Sequence, residues 1–318
     1  MPAHEDANAL ANGDGSSTSK SILPTPDKEA SKMAVEFTAH NIRLDDGSFT
    51  KPDAGQSMEF HPWFVSARRI VESVFPGDKR HLRLIDLGCL EGGYAVEFAR
   101  LGFQVVGMDV REANIAACNY AKSKTNLPNL EFVRDNVLNI QKYGMFDVVF
   151  CCGLLYHLDE PRKFLEAISS VTTKLTILQT HFSTDTRSSR LFSLLPTLAQ
   201  KALGRIMQVR PDKFYLSPVS QNEGLQGRWY TEFADDKSFS KRETSRWASW
   251  DNRRAFWIQR EYLLQAIQDV GFDLVMEQFD GLGPNIAESM LRGYYRTDRR
   301  GTFIGIKTQN VPASSIAG

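Results

Sequence analysis

No charge of one sign predominates in this chain of 318 residues: 38 Lys and Arg stand against 38 Asp and Glu. Bulk nucleic acid and anionic membranes are held by an excess of Lys and Arg, so neither is expected as the main partner. No run of 18 or more apolar residues occurs, so no membrane span is expected. Cysteine is scarce: Cys89, Cys118, Cys151 and Cys152 are the four, none at CxxC or disulfide-framework spacing. Set inside apolar runs, they read as small buried thiols of a reducing compartment. The six histidines are scattered, HExxH is missing and no acids cluster, so no metal site is expected and a magnesium-dependent route is disfavoured. Residues 1–34 have almost no large apolar side chains and carry five acids before residue 30. They offer no apolar segment for a secretory signal and no organellar presequence. They are expected to form a disordered tail on a cytoplasmic protein.

What is present can build a sizeable core: 42% of the residues are hydrophobic, including 20 Phe and 5 Trp. From Leu82 to Thr180 short apolar runs alternate with amphipathic segments. LRLIDLG (82–88), FQVVGMDV (103–110), LEFVRDN (130–136), MFDVVFCCG (145–153) and KLTILQTHF (174–182) read as strands. Between them, YAVEFARLG (94–102), EANIAACNYAKSKTNL (112–127) and PRKFLEAISSV (161–171) have helical spacing, the last with Pro161 at a first helical position and Asp159 as a candidate cap. QREYLLQAIQDVG (259–271) is a further helix, and FDLVMEQFD (272–280) and TFIGIK (302–307) are two more strands. The rhythm predicts an α/β fold, a seven-stranded, mostly parallel sheet with helices on both faces. The stretch 183–256 breaks the alternation and reads as an inserted cap. The expected organisation is a tail over 1–34, a lid or helical segment over 35–80, and a cofactor-binding core over 81–182. The insertion over 183–256, the rest of the core over 257–310 and a tail over 311–318 follow.

In open α/β sheets, ligands bind at the carboxyl ends of strands where the strand order reverses. The first strand here ends in Asp86-Leu87-Gly88-Cys89-Leu90-Glu91-Gly92-Gly93, the second in Asp109, the third in Asp135-Asn136. Glycines at a strand-to-helix turn admit a ligand close to the backbone. A carboxylate at Asp109 can accept hydrogen bonds from a ribose diol, and Asp135 or Asn136 can read an adenine amino group, although Asp135 could equally cap a helix. The spacing is not the G-x-G-x-x-G of dinucleotide sites, and Glu91 stands where a pyrophosphate needs room; an amino-acid-bearing cofactor tolerates that acid better.

The run IDLGCLEGGYAVEFARLGFQVVGMDV, with EFVRDNV and FDVVFCCGLLYHLDEP, resembles the core of class I S-adenosylmethionine-dependent methyltransferases over about residues 80–182. GLLYHLDEP is locally similar to ubiquinone-biosynthesis-type O-methyltransferases and to transfer-RNA wobble-uridine transferases. The resemblance implies that the sheet is Rossmann-like with an antiparallel last strand, with S-adenosylmethionine as cofactor and S-adenosylhomocysteine as product. It implies that Asp86, Gly88, Cys89, Glu91 and Gly92 hold the methionine part, and that Asp109 with Val110 binds the ribose. Asp135, Asn136 and Val137 would bracket the adenine, and Cys152 and Gly153 would lie beside the methyl donor. Leu90 departs from the family's middle glycine.

A hydroxyl acceptor needs a base of near-neutral pKa, and His157 is the first candidate, His181 the second. His157 could instead be a histidine that packs the helix start and bonds a carboxylate such as Asp159 or Glu160. His61 and Trp63, on the segment before the first strand, and Tyr156, beside His157, are candidate substrate contacts. So are Trp229, Trp250 and Arg254 in the insertion, where four of the five tryptophans fall within residues 229–257. Residues 201–260 hold 12 Lys and Arg against 7 acids. Aromatic plates with arginine suit an aromatic, sugar or anionic small-molecule acceptor, methylated on oxygen or nitrogen. Two rivals are an RNA-modifying transferase, gripping RNA through Arg242, Arg246, Arg253 and Arg254, and a non-catalytic cofactor-binding partner subunit. An oligomer is compatible with all three.

Overall fold

In the computed structural model, the described residues are 35–184, 216–291, 295 and 299–308. The tails expected over 1–34 and 311–318, and residues 185–215 of the insertion, lie outside them. Strands β1 (Arg83–Leu87), β2 (Gln104–Asp109), β3 (Leu130–Arg134), β4 (Phe146–Cys152) and β5 (Thr172–His181) are parallel, while β10 (Arg300–Ile306) runs antiparallel between β5 and β9 (Leu274–Gln278). The sheet order is β3-β2-β1-β4-β5-β10-β9, so the order reverses between β1 and β4. The seven-stranded sheet with its antiparallel strand is thus the one expected. Among the described residues no helix is long and apolar enough to cross a membrane.

The strands are apolar on consecutive residues because both faces are covered. Along β4, Val149 and Cys151 enter one core while Val148 and Phe150 enter the other. The second core holds α1 (Pro62–Val74) through Phe64 and Val71, and α2 (Gly93–Arg100) through Val96 and Phe98. The first holds α4 (Pro161–Val171) through Phe164 and Ile168 and α5 (Arg260–Asp269) through Leu263 and Ile267. Helix α3 (Glu112–Ser123) lies between β2 and β3 in the chain and buries Ala117 and Cys118. The N-cap position of α4 is Glu160, not Asp159, and neither supplies a capping side chain. Glu223 of the insertion does so instead, accepting from the Arg162 and Lys163 N–H groups at 2.8 and 3.2 Å.

The described part of the insertion forms a second, antiparallel sheet of β6 (Ser220–Asn222), β7 (Leu225–Thr231) and β8 (Arg254–Ile258), which the sequence reading did not resolve. Strand β8 continues past residue 256. Leu225, Phe256 and Ile258 plug this sheet into the first core. Ser183, just beyond β5, donates its N–H to Ile258 and its hydroxyl to Trp257 carbonyls, both at 2.8 Å, welding the insertion to the carboxyl edge of the main sheet. Between β7 and β8 the chain makes a loop, 232–253, which lies over that edge.

Candidate active site

At the carboxyl ends of β1 and β4 lies a cavity of about 300 Å³, within the usual range for small-molecule sites. Its floor begins at the turn after β1. Gly88 and Gly92 are left-handed, and so is Leu90, at φ 52°, where the resembled family has glycine. A side chain at Gly92 would stand 2.6 Å from the Phe132 ring, so only glycine lets the turn close over β3. The Leu90 N–H is held by Asp109 Oδ2 at 3.1 Å. Asp109 Oδ1 accepts from Arg111 N and Asn114 Nδ2, at 2.9 and 3.1 Å. A carboxylate has about four acceptor sites, so Asp109, which lines the cavity, retains about one rather than the two a diol would use. Burial raises the Asp109 pKa, against the pull of these donors. Asp86 lies beneath the turn, with Oδ2 buried and without a hydrogen-bond partner; burial, then the nearby Asp109 charge, push it up to about 8.

Of the residues expected to meet the cofactor, Gly88, Asp109, Val110, Asn136, Val137, Cys152 and Gly153 line the cavity. Asp86, Cys89, Glu91, Gly92 and Asp135 do not. Cys89 is buried with its sulfur 3.8 Å from that of Cys118. Asp135 accepts from Asn139 Nδ2 (2.7 Å) and the Tyr143 hydroxyl (2.9 Å), but it is not the helix cap open to it in the sequence: that is Asn136, whose Oδ1 accepts the Leu138 N–H at 3.0 Å. Glu91 is fully buried and faces the N-terminal segment: it accepts from Thr38 Oγ1 (2.7 Å), from the backbone of Thr38, Ala39 (3.0 Å) and His40 (2.8 Å), and from Arg246 Nη1 (3.4 Å). Burial would raise its pKa, but the His40 and Thr38 donors outweigh that and hold it below the ordinary glutamate value.

The roof comes from two segments. Ala39, His40, Met58, His61 and Trp63 come from the N-terminal part, and residues 246–252 from the insertion. His40 Nδ1 accepts the Gly93 N–H at 2.9 Å, capping α2 from outside, and burial lowers its pKa to about 4, so the ring is neutral. Arg111 fastens the insertion loop by donating to the carbonyls of Arg242, Ser245, Ala248 and Ser249. Asn136 Nδ2 donates to Asp251 Oδ2 at 2.7 Å from the end of β3.

His157 and Tyr156 line the cavity, with their rings 4.2 Å apart. His157 Nδ1 is 2.6 Å from Glu232 Oε1, and Glu232 Oε2 accepts the Ser249 N–H at 3.2 Å. With Nδ1–H assigned to the carboxylate, Nε2 is the acceptor nitrogen. Trp250 lines the cavity too, but Trp229 and Arg254 do not; they stack on each other, 4.7 Å from guanidinium carbon to ring centroid. His181 stands one layer back, stacked on Trp257 at 4.7 Å and edge-on to Tyr156 at 4.5 Å. Sequence reasoning missed Glu232, His40, Arg111 and Arg300. Arg300 had a signal: it precedes the last, antiparallel strand, whose start must lie at the carboxyl edge.

Against this geometry, a family profile described as "Methyltransferase domain" matches residues 85–178. Residues 85–178 are a methyltransferase domain. A ubiquinone biosynthesis O-methyltransferase of Rickettsia akari is 28% identical over 142 residues, 43% of this chain and 52% of that protein. One of Albidiferax ferrireducens is 32% identical over 91 residues, 28% of this chain and 36% of that protein. The chain thus spans about a third to a half of the length of the curated relatives it matches. The crystal structure of the N-terminal domain of EvdMO1 with SAH bound covers 76% of this chain and 80% of that one, at 19% identity and a TM-score of 0.51, a likeness of fold.

Proposed function

We propose that the whole protein is an S-adenosylmethionine-dependent methyltransferase acting on an oxygen or nitrogen of a small-molecule acceptor. The observation that carries this is the cavity at the β1–β4 reversal, roofed by two segments and lined at one end by His157, Tyr156 and Trp63. The residues present fit the cofactor: Asp109 Oδ2 has an acceptor site for a ribose hydroxyl, Val110 and Val137 offer apolar walls to a flat base, and Gly88 admits the amino-acid part. When bound, that cofactor supplies an electrophilic methyl group on a sulfonium. The chain aligns the acceptor and excludes water, which can contribute several kcal/mol. His157 Nε2 takes the proton of an acceptor hydroxyl, and Glu232 holds the imidazole in that tautomer.

The RNA-modifying reading is the weaker one, because all four of its arginines contact other groups of this chain, although Arg253 and Arg254 stay exposed. Arg246 binds Glu91 and the Glu36 carbonyl, Arg253 binds Asp236 at 2.8 Å, and Arg242 stacks on Phe239 and Trp250. The discriminating experiment offers methyl-labelled S-adenosylmethionine to the protein with a cell extract separated into small molecules and RNA. Label should enter the small-molecule fraction; label confined to RNA would overturn the acceptor class.

A further inference from the structure

Three arginines line the cavity, and all three are held by the protein: Arg111 by four loop carbonyls, Arg246 by Glu36 and Glu91, and Arg300 by Gln179. Arg300 is placed differently. It opens β10 in register with His181, so its side chain emerges at the carboxyl edge beside the ends of β4 and β5. Its guanidinium carbon lies 4.5 Å from the Trp63 ring centroid and 5.5 Å from that of Tyr156. Nε donates to Gln179 Oε1 at 2.7 Å, which fixes the plane of the group. Nη2 faces Gly153: a Cβ there would stand 3.3 Å away, so glycine keeps this edge clear.

The charge of the cavity is therefore divided. Asp109 and Asp251 lie on the β2–β3 side, while Arg300 lies on the β5–β10 side, with Trp63, Tyr156 and His157 around it. His61, on that same side, is lowered in pKa first by burial and then by the Arg300 charge. A planar guanidinium between ring faces, in a cavity lined by apolar and aromatic side chains, favours a planar anion: carboxylate geometry matches its fork, and the attraction exceeds that in bulk water.

We infer that this half of the cavity takes an acceptor with a flat body and a carboxylate, and that Arg300 reads the carboxylate. The inference rests on the methyltransferase reading above and deepens it by naming the acceptor class. Benzoate and its neutral isostere benzamide are the probes, titrated against the full chain with and without S-adenosylhomocysteine. Binding is followed by the fluorescence of Trp63, Trp247 and Trp250, which line the cavity. Benzoate should bind at least about tenfold more tightly than benzamide, as expected for a charge-assisted pair worth about 1.5–3 kcal/mol. Arg300→Gln should erase that preference and Arg300→Lys should keep part of it, with S-adenosylhomocysteine affinity unchanged in both. Equal binding of the two probes, no benzoate binding at all, or a preference surviving in Arg300→Gln overturns the inference. Failure of the wild-type protein to bind S-adenosylhomocysteine would overturn the cofactor reading separately, because the benzoate arm is also run without it.

Discussion

Glu91→Ala should destabilise the protein by about 3–5 kcal/mol, the usual cost of removing one partner from a buried, charged network. The substitution strips the acceptor from the Thr38 hydroxyl and from three backbone N–H groups, and it leaves the Arg246 guanidinium facing a void. Both covering segments meet at this one carboxylate, so the loss should be concentrated there. Urea denaturation would give the size of the effect, and amide exchange should show residues 36–42 losing protection before the sheet does. The pH sense follows from the shift: the folded-state pKa lies below the ordinary value, so the stabilisation is complete above that value. It is lost as pH falls through the folded pKa. A stability change below about 1 kcal/mol, against the range expected for a buried network, would remove Glu91 from this role.

The second large effect concerns turnover. With an acceptor in hand, His157→Ala should lower kcat by about 10²- to 10⁴-fold, the typical contribution of a positioned base, while S-adenosylhomocysteine affinity stays near wild type. Glu232 does not line the cavity and acts through His157, so it is a positioning residue. Glu232→Gln should lower kcat more than it changes KM and should displace the pH–rate profile, which a purely structural contact would leave in place. His157→Gln serves as the control, because its amide can still donate to Glu232 but cannot take a proton, while the His157 carbonyl that accepts from Asn252 is backbone and survives in both variants. Wild-type kcat in His157→Ala would eliminate the base.

The parts of the fold legible in the sequence are those governed by short-range patterning. Strands buried on both faces must be apolar at consecutive positions, so β1, β2, β4 and β5 announce themselves, and the acids that end β1 and β2 mark the carboxyl edge. Helix ends at Gly102 and Gly271 adopt positive φ, as a glycine beyond a helix should. The residues that sequence reading missed are set by contacts across long separations. Glu232 meets His157 across 75 residues and Thr38 meets Glu91 across 53, and no local spacing encodes either pairing. Glu91 illustrates the difference. Its position in the turn suggested the cofactor, yet its side chain points into the N-terminal segment because four donors converge there. The insertion's aromatic and basic composition pointed to recognition, but Trp229 and Arg254 pair with each other in the second sheet. Trp250, and Arg300 from the last strand, line the cavity, whereas Trp229 and Arg254 do not.

The central claim is that the cavity at the β1–β4 reversal is a site for S-adenosylmethionine read by Asp109. Isothermal titration of the protein with S-adenosylhomocysteine, beside Asp109→Ala and beside NAD, tests it most directly. One site should bind S-adenosylhomocysteine, and Asp109→Ala should weaken it by about 10- to 150-fold, the cost of one hydrogen bond to a charged group of about 1.5–3 kcal/mol. NAD should give no saturable heat. Binding of NAD without S-adenosylhomocysteine, or S-adenosylhomocysteine affinity untouched in Asp109→Ala, would contradict the account.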